Sequence, residues 1–417
     1  MDDYAHRPRH GCFCSNYVIS ARLSFDYPEV KPRSGEMMMK WSIVLSGLVG
    51  VVLAAIAGFG IWVAMLPPAV VAAPAPVPAE ETAAIVEALR PPKRERPLIT
   101  VIGINDATET TDYLMPTGIL RRADVADVVL VATEAGPVEL YPALTVMPDM
   151  SVAQFDATHP EGADYVIVPA MSRDNDPAIM AWLAAQAGKG STVIGVCAGA
   201  KVVAATGLLE NRRGTTHWFF LDALRRENPT MTYVPDRRIV ADGNVVTTTG
   251  ISASIPMALT LVEAIAGRPR AEAVAADIGF ESWNAAHDSD AFSLTRPFAT
   301  TVMANLAAFW QREEHSLALE PQFDAVSLAI AADAWSRTYR SRALTVAPSA
   351  DAVTDRDGIR ILPDRVSSTN APTAMLAPGS TTPAAALEGT LEEISSRYGP
   401  ATAYVVAMQL EYPWPMP

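Results

Sequence analysis

Apolar positions along this chain follow two regimes. From Trp41 to Leu66 they are unbroken: WSIVLSGLVGVVLAAIAGFGIWVAML, about 26 residues without a charge. A bilayer core needs roughly 20 such residues as a helix, so this stretch predicts a transmembrane helix with some tilt. Beyond Leu98 the pattern changes to short β-branched runs separated by amphipathic stretches. Leu98–Ile104, Val128–Thr133, Tyr165–Pro169 and Thr192–Val196 predict buried strands. Between them, Tyr113–Arg122 and Pro177–Ala187 predict helices, the second capped by Asp176 with Pro177 at its first position. Asn105–Asp112 predicts a polar loop, and Val138–Phe155 a small hairpin. Strands alternating with helices predict an α/β fold with a parallel sheet covered by helices on both faces.

The remaining segments extend this pattern. Pro67–Pro97 is Pro-rich and predicts an extended linker interrupted by a short helix, Thr82–Arg90. Phe219–Glu227 predicts a helix, and Arg238–Thr249 a hairpin turning at Asp242-Gly243. Ser254–Ala266 predicts an apolar helix closed by Gly267 and Pro269. Residues 281–320 read as a connector, polar at first and then helical over Thr295–Glu314. Residues 321–417 echo the first α/β domain: YRSRALTVAPSADAVTDRDGIRILPDRVSS has the layout of DVADVVLVATEAGPVELYPALTVMPDMSVA, each with a strand, a polar turn, a second short strand and a Pro-Asp. The predicted organisation is a tail (1–40), a transmembrane helix (41–66), a linker (67–97), an α/β domain (98–280), a helical connector (281–320) and a smaller α/β region, a degenerate partial repeat (321–417).

Charge sets the topology. Lys31, Arg33 and Lys40 precede the apolar stretch, and no Lys or Arg follows until Arg90. The positive-inside rule puts residues 1–40 in the cytoplasm and the globular part outside, anchored in the cytoplasmic membrane by one span. A cleaved signal peptide would carry a much shorter apolar region. Met37, Met38 and Met39 offer alternative starts to Met1. The net charge of −14 and the lack of a dense Lys/Arg stripe argue against nucleic acid as a partner.

Cysteine is scarce: Cys12, Cys14 and Cys197. The first two form a C-x-C in the tail, a spacing that is weak evidence for a metal. His287 with Asp288 and Asp290 reads as a solvated loop, so no metal or cofactor is expected. Cys197 is different. It ends the run Thr192–Val196 and is followed at once by Ala198, Gly199 and Ala200, then by an apolar helical run closed by Gly207. A thiol on a sharp strand-to-helix turn is exposed to substrate, with helix N–H groups beside it. The bland alternative is an inert buried Cys. His217, in the loop Thr215-Thr216-His217-Trp218, is a candidate base.

The run VIGVCAGAKVVAATGLLENRRGTTHW, continued by RIVADGNVVTTTGISASIPMALTLVEAIAG, resembles the ThiJ/PfpI family of the class I glutamine amidotransferase-like superfamily. Within it, the similarity is greatest to the ligand domain of GlxA-type, AraC-family regulators and to isonitrile hydratases. The resemblance spans roughly Leu98–Ile278 and implies a flavodoxin-like fold with Cys197 at a nucleophile elbow. It implies backbone N–H groups of Ala198 and Ala170 at a developing oxyanion, and His217 close to the sulfur. It also implies an acidic residue after the first strand: Asp112, with Glu109 as runner-up. Departures accompany the match. Ala198 stands where peptidase-like members have His and hydratases usually have Thr, and Pro169-Ala170-Met171 replaces the usual Pro-Gly-Gly. No helix-turn-helix region is evident, which weighs against a DNA-binding regulator.

Two functions follow. One is a membrane-anchored Cys-dependent lyase or hydrolase acting on a small electrophile, with Cys197 as nucleophile and Asp112 and His217 handling protons. The other is a non-catalytic sensory or interaction module derived from a regulator's ligand domain. Either takes a small molecule as partner, and the resemblance allows for a homodimer.

Overall fold

The computed structural model describes residues 34–367 and 382–416. The tail with Cys12, Cys14, Lys31 and Arg33 lies outside the described residues, as do residues 368–381 of the C-terminal region. Helix α1 spans Ser34–Met65. Within it, the 19 residues Gly47–Met65 have a mean hydropathy of 2.4 and remain unburied. By length and composition they suffice to cross a bilayer.

Seven strands form the central sheet: β1 (Leu98–Gly103), β2 (Asp127–Ala132), β3 (Met150–Ser151), β4 (Tyr165–Val168), β5 (Thr192–Gly195), β6 (Ile239–Asp242) and β7 (Val245–Thr248). Their order is β6-β7-β5-β4-β1-β2-β3, and every pairing is parallel except the hairpin β6–β7. Side-chain alternation sends the two faces of each strand into different cores. Ile99, Val101, Tyr165, Ile167 and Ile194 point into one. Leu98, Ile102, Val166, Val168 and Val193 point into the other. Helices α4 (Pro177–Gly188) and α5 (Gly199–Ala205) cover the second face, and α3 (Thr110–Ala123), α6 (Ser254–Ala266) and α7 (Arg268–Ile278) the first. The fold is therefore mixed α/β with a mostly parallel sheet, as the alternation of runs predicted.

Two local readings need correction. The stretch Asn105–Asp112 is not a plain loop: Asp106–Glu109 is a short strand, and α3 begins at Thr110. Glu109 causes that early start, because its side chain accepts the Asp112 N–H as an N-cap. The helix expected over Thr295–Glu314 ends at Ala307, and Glu313–Ala318 is strand β8. There His315 and Leu317 are buried, alternating with less buried neighbours, which is the period of a strand.

The residues after α1 are fastened to the globular part. The Arg296 N–H donates to the Pro67 carbonyl (2.9 Å), and Ala73 N–H to Asp288 Oδ2 (2.8 Å). Helix α2 (Ala79–Ala88) packs by Ile85, and the Leu89 carbonyl accepts the Tyr165 hydroxyl at 2.6 Å.

The C-terminal segment builds its own three-stranded parallel sheet from β8, β9 (Ser341–Ala347) and β10 (Arg365–Val366), in that order. Helix α8 (Ala325–Ser336) joins β8 to β9 and packs on α3. Helices α9 (Pro383–Tyr398) and α10 (Pro400–Leu410) follow. The small strand Arg360–Leu362 pairs antiparallel with Thr145–Met147 of the first domain, which joins the two parts in a mixed five-stranded sheet.

Candidate active site

The site forms where chains leave the carboxyl ends of β1, β4 and β5, the expected place in such a sheet. Cys197 follows β5 with φ of 56°, a left-handed conformation that costs a non-glycine residue energy. The turn is held on several sides. Cys197 N–H donates to Thr248 Oγ1 at 3.2 Å, and its carbonyl accepts the Thr216 hydroxyl at 2.9 Å. Gly199 is required next: a Cβ there would run into the Val168 carbonyl oxygen and stand 2.9 Å from the Pro169 carbonyl carbon.

The sulfur is buried and borders a cavity of about 560 Å³. Glu109, Ala170, Met171, Ala198, His217 and an aromatic group of Tyr141, Trp218, Phe219, Phe220 and Phe298 line that cavity. Burial pushes the thiol well above its usual range, and negative Asp112 and Glu109 push it further. A hydrogen bond from the Ala198 N–H works the other way.

Asp112 is fully buried at the start of α3. Its Oδ2 accepts the Ala170 N–H at 3.2 Å, and its carboxyl faces the Cys197 thiol. Oδ1 is buried without a hydrogen-bond partner. Burial pushes the Asp112 carboxyl up to about 7. Burial raises Glu109 as well, with Asp112 and Asp333 adding to the effect and Arg337 opposing it. One guanidinium bridges two of these three acids: Arg337 contacts Glu109 Oε1 at 2.7 Å and Asp333 Oδ2 at 2.6 Å. Asp112 has no such contact.

The Ala170 N–H is thus occupied by Asp112, while its carbonyl accepts the Glu109 N–H at 2.9 Å. His217 lines the cavity, but both ring nitrogens are committed. Nε2–H donates to the Gln409 carbonyl (3.0 Å), and Nδ1 accepts the Phe219 N–H (3.1 Å). Burial lowers its pKa, which keeps the ring neutral. His217 therefore braces the pocket wall against α10, and no ring nitrogen is free to take the thiol proton.

Sequence reasoning missed the contribution of the C-terminal segment: Arg337, Tyr339 and Gln409 all reach the cavity. It also missed His287, which is buried, stacked on Phe292 and 3.1 Å from the equally buried Glu411. The expectation of a solvated loop there is corrected, because its partner lies far along the chain. Among the described residues, no three His, Cys, Asp or Glu side chains gather as a metal site.

The sequence profile of the DJ-1/PfpI family matches residues 99–264. An isonitrile hydratase of Pseudomonas putida is 39% identical over 100 residues, covering 24% of this chain and 42% of the hydratase. The Parkinson disease protein 7 homolog of Danio rerio is 30% identical over 178 residues, covering 41% of this chain and 90% of that protein. The HTH-type transcriptional regulator CdhR of Pseudomonas aeruginosa is 36% identical over 86 residues, covering 21% of this chain and 25% of the regulator. Among solved structures, a DJ-1 superfamily protein from Salmonella typhimurium aligns over 45% of this chain and all of its own, with a TM-score of 0.40 and 25% identity.

Proposed function

This chain belongs to the DJ-1/PfpI family, and on that premise we propose that its Cys197 pocket transforms a small electrophile while Trp41–Leu66 holds the protein in a membrane. The carrying observation is the buried Asp112 carboxyl facing the thiol, pushed up to about 7 and so able to hold a proton at neutral pH. The chemistry is addition followed by hydrolysis. The Cys197 sulfur bonds to the terminal carbon of an isonitrile, and the thiol proton passes to that carbon through Asp112, giving a thioimidate. Water then adds at the same carbon, the carbon–sulfur bond breaks, and the proton returns to sulfur. For an isonitrile the net change is addition of one water, giving an N-substituted formamide. In this reading the Ala198 N–H, which bonds the sulfur, also serves a developing negative charge. Its location outside the cytoplasm rests on the basic residues before Trp41 and their absence up to Arg90.

We read the C-terminal segment as a degenerate second copy of the first domain. In each part a strand, a helix and a parallel strand are followed by a two-residue strand pairing with the end of the second. The Pro-Asp echo supports this: Asp149 Oδ2 accepts the Leu130 N–H and Asp364 Oδ2 the Thr345 N–H, each at 2.7 Å. The second copy packs α8 on α3 as a twofold partner would. A homodimer is not needed to complete the pocket.

The test is turnover by the full chain in detergent. Supplied with an alkyl isonitrile, it should release the formamide, detected by NMR, and Cys197→Ser should release none. The buried, raised thiol favours one rival, a pocket that binds without reacting. Saturable binding that persists in Cys197→Ser, with no product from the native chain, would establish that rival instead.

A further inference from the structure

The segment Ala291–Arg312 differs from the rest of this acidic chain. It contains no Asp or Glu, and its only charges are Arg296 and Arg312. Its core is the helix Arg296–Ala307 followed by the short turn Phe309–Gln311. One face is used by the fold through buried Phe298 and Asn305, and Ala299 is also covered at the helix start. The other carries large apolar side chains in solvent: Met303 (47% exposed), Leu306 (38%), Phe309 (66%) and Trp310 (70%). A contiguous apolar face of this kind marks an interaction site.

The chain itself indicates what covers that face. Arg296 is bonded to the last residues of the apolar span. Its side chain donates to the carbonyls of Ala64 (2.7 Å) and Leu66 (3.3 Å), and its N–H to that of Pro67. The helix therefore begins where the membrane span ends. A helix starting at that level, uncharged on one face, bearing Trp and flanked by Arg, has the composition of an interfacial membrane helix.

We propose that Arg296–Gln311 lies on the bilayer surface, with Met303, Leu306, Phe309 and Trp310 inserted at the headgroup–acyl boundary, bedding the catalytic domain on the membrane. This rests on the reading of Trp41–Leu66 as a membrane anchor. The pocket is adjacent: Phe298, on the same helix, lines it and stands edge-on to Trp218 at 5.7 Å between ring centroids. The surface helix would thereby set the pocket wall close to the lipid.

The experiment uses the full chain reconstituted in phosphatidylcholine vesicles with or without acyl-chain-brominated phosphatidylcholine. The emission lost on Trp310→Phe isolates Trp310. It should be blue-shifted and quenched by brominated lipid about as strongly as the emission lost on Trp62→Phe. The emission lost on Trp182→Phe, from the domain core, should not be quenched. Red-shifted Trp310 emission quenched only by aqueous iodide would overturn the proposal. So would blue-shifted emission that brominated lipid leaves untouched, which would show a second protein copy on that face. Alkaline carbonate extraction separates the two readings: a chain released by carbonate refutes the anchor itself, whereas a retained chain with unquenched Trp310 refutes only the surface helix.

Discussion

Arg337 of the C-terminal segment reaches across to Glu109 of the first domain, Nη2 to Oε1, at 2.7 Å. The relationship is reciprocal. Arg122 of the first domain reaches Asp324 of the C-terminal segment, Nη2 to Oδ2, also at 2.7 Å. Both acids cap the helix they precede, Glu109 accepting from Asp112 N–H and Asp324 from Ser327 N–H. Both arginines come from the C-terminal end of the facing helix, α3 or just after α8. The Arg337–Glu109 pair lines the cavity that Cys197 borders, and the Arg122–Asp324 pair does not.

Arg337→Met should destabilise the protein by about 3–5 kcal/mol, because it strands Glu109 and Asp333 as buried carboxyls without their cation. Arg337→Lys should recover part of the loss, since one ammonium cannot satisfy both acids with the geometry of a guanidinium. Thermal unfolding of the three proteins in one detergent checks the order. Equal melting temperatures would show that the pair contributes nothing.

Much of the sheet was legible from residues alone. β1, β4 and β5 are buried on both faces, so they appear as continuous apolar runs, and the Cys197 elbow follows from a strand ending beside three small residues. The site's other half was not legible. Arg337 stands at the same offset from Arg122 as Asp324 does from Glu109, but it lies just before the two stretches whose sequence layouts match. Aligning the helices as well as the strands would have exposed it. His217 was a fair candidate by type, yet nothing local shows that a carbonyl from α10 takes its Nε2–H. His287 and Glu411 meet only through tertiary packing. Long-range polar pairs of this kind leave no periodic trace.

Asp112 gives a pH signature with a definite sign. Its folded pKa, about 7, lies above the ordinary 3.8, so the native state holds the proton more tightly than the unfolded chain. Stability from this group is complete below pH about 4 and is lost as pH rises through about 7. Relative to Asp112→Asn, the native chain should lose on the order of 4 kcal/mol across that window. Denaturant unfolding at several pH values measures the difference, and a flat difference would refute the shift.

The same substitution should separate thiol reactivity from turnover. Removing a negative neighbour eases ionisation of Cys197, so alkylation by iodoacetamide at pH 8 should quicken by roughly tenfold. Product formation should fall by about 10²- to 10⁴-fold, because the proton carrier is gone. If alkylation and turnover move together, Asp112 only tunes the sulfur.

Glu411 ties the end of α10 to the loop after β7. Its Oε2 accepts the Gly250 N–H and its Oε1 faces His287 Nε2 at 3.1 Å. Glu411→Ala leaves two buried groups unpaired and should cost roughly 1–3 kcal/mol for each. Glu411→Gln keeps an acceptor for Gly250 and should cost less. Gly250→Ala should also destabilise, since its Cβ would stand 2.7 Å from His217 Cδ2 and 2.6 Å from Glu411 Cβ. Melting temperatures rank the three, and Gln melting no higher than Ala would remove the Gly250 bond from the account.

Gly199 tests whether the elbow must be tight for the sulfur to sit correctly. The Cβ added by Gly199→Ala would overlap the Val168 carbonyl, so α5 has to draw away from the end of β4. Backbone cannot yield as a flexible side chain would, and the cost should reach about 3 kcal/mol. Cys197 lies two residues before that helix position, with its φ of 56° held from both sides, and so must move with it. Turnover should fall even at temperatures where the variant stays folded. Gly188→Ala, whose new Cβ meets nothing within 4 Å, is the matched control and should leave both properties near native. Native-like turnover in Gly199→Ala would mean that the chemistry does not depend on the elbow geometry.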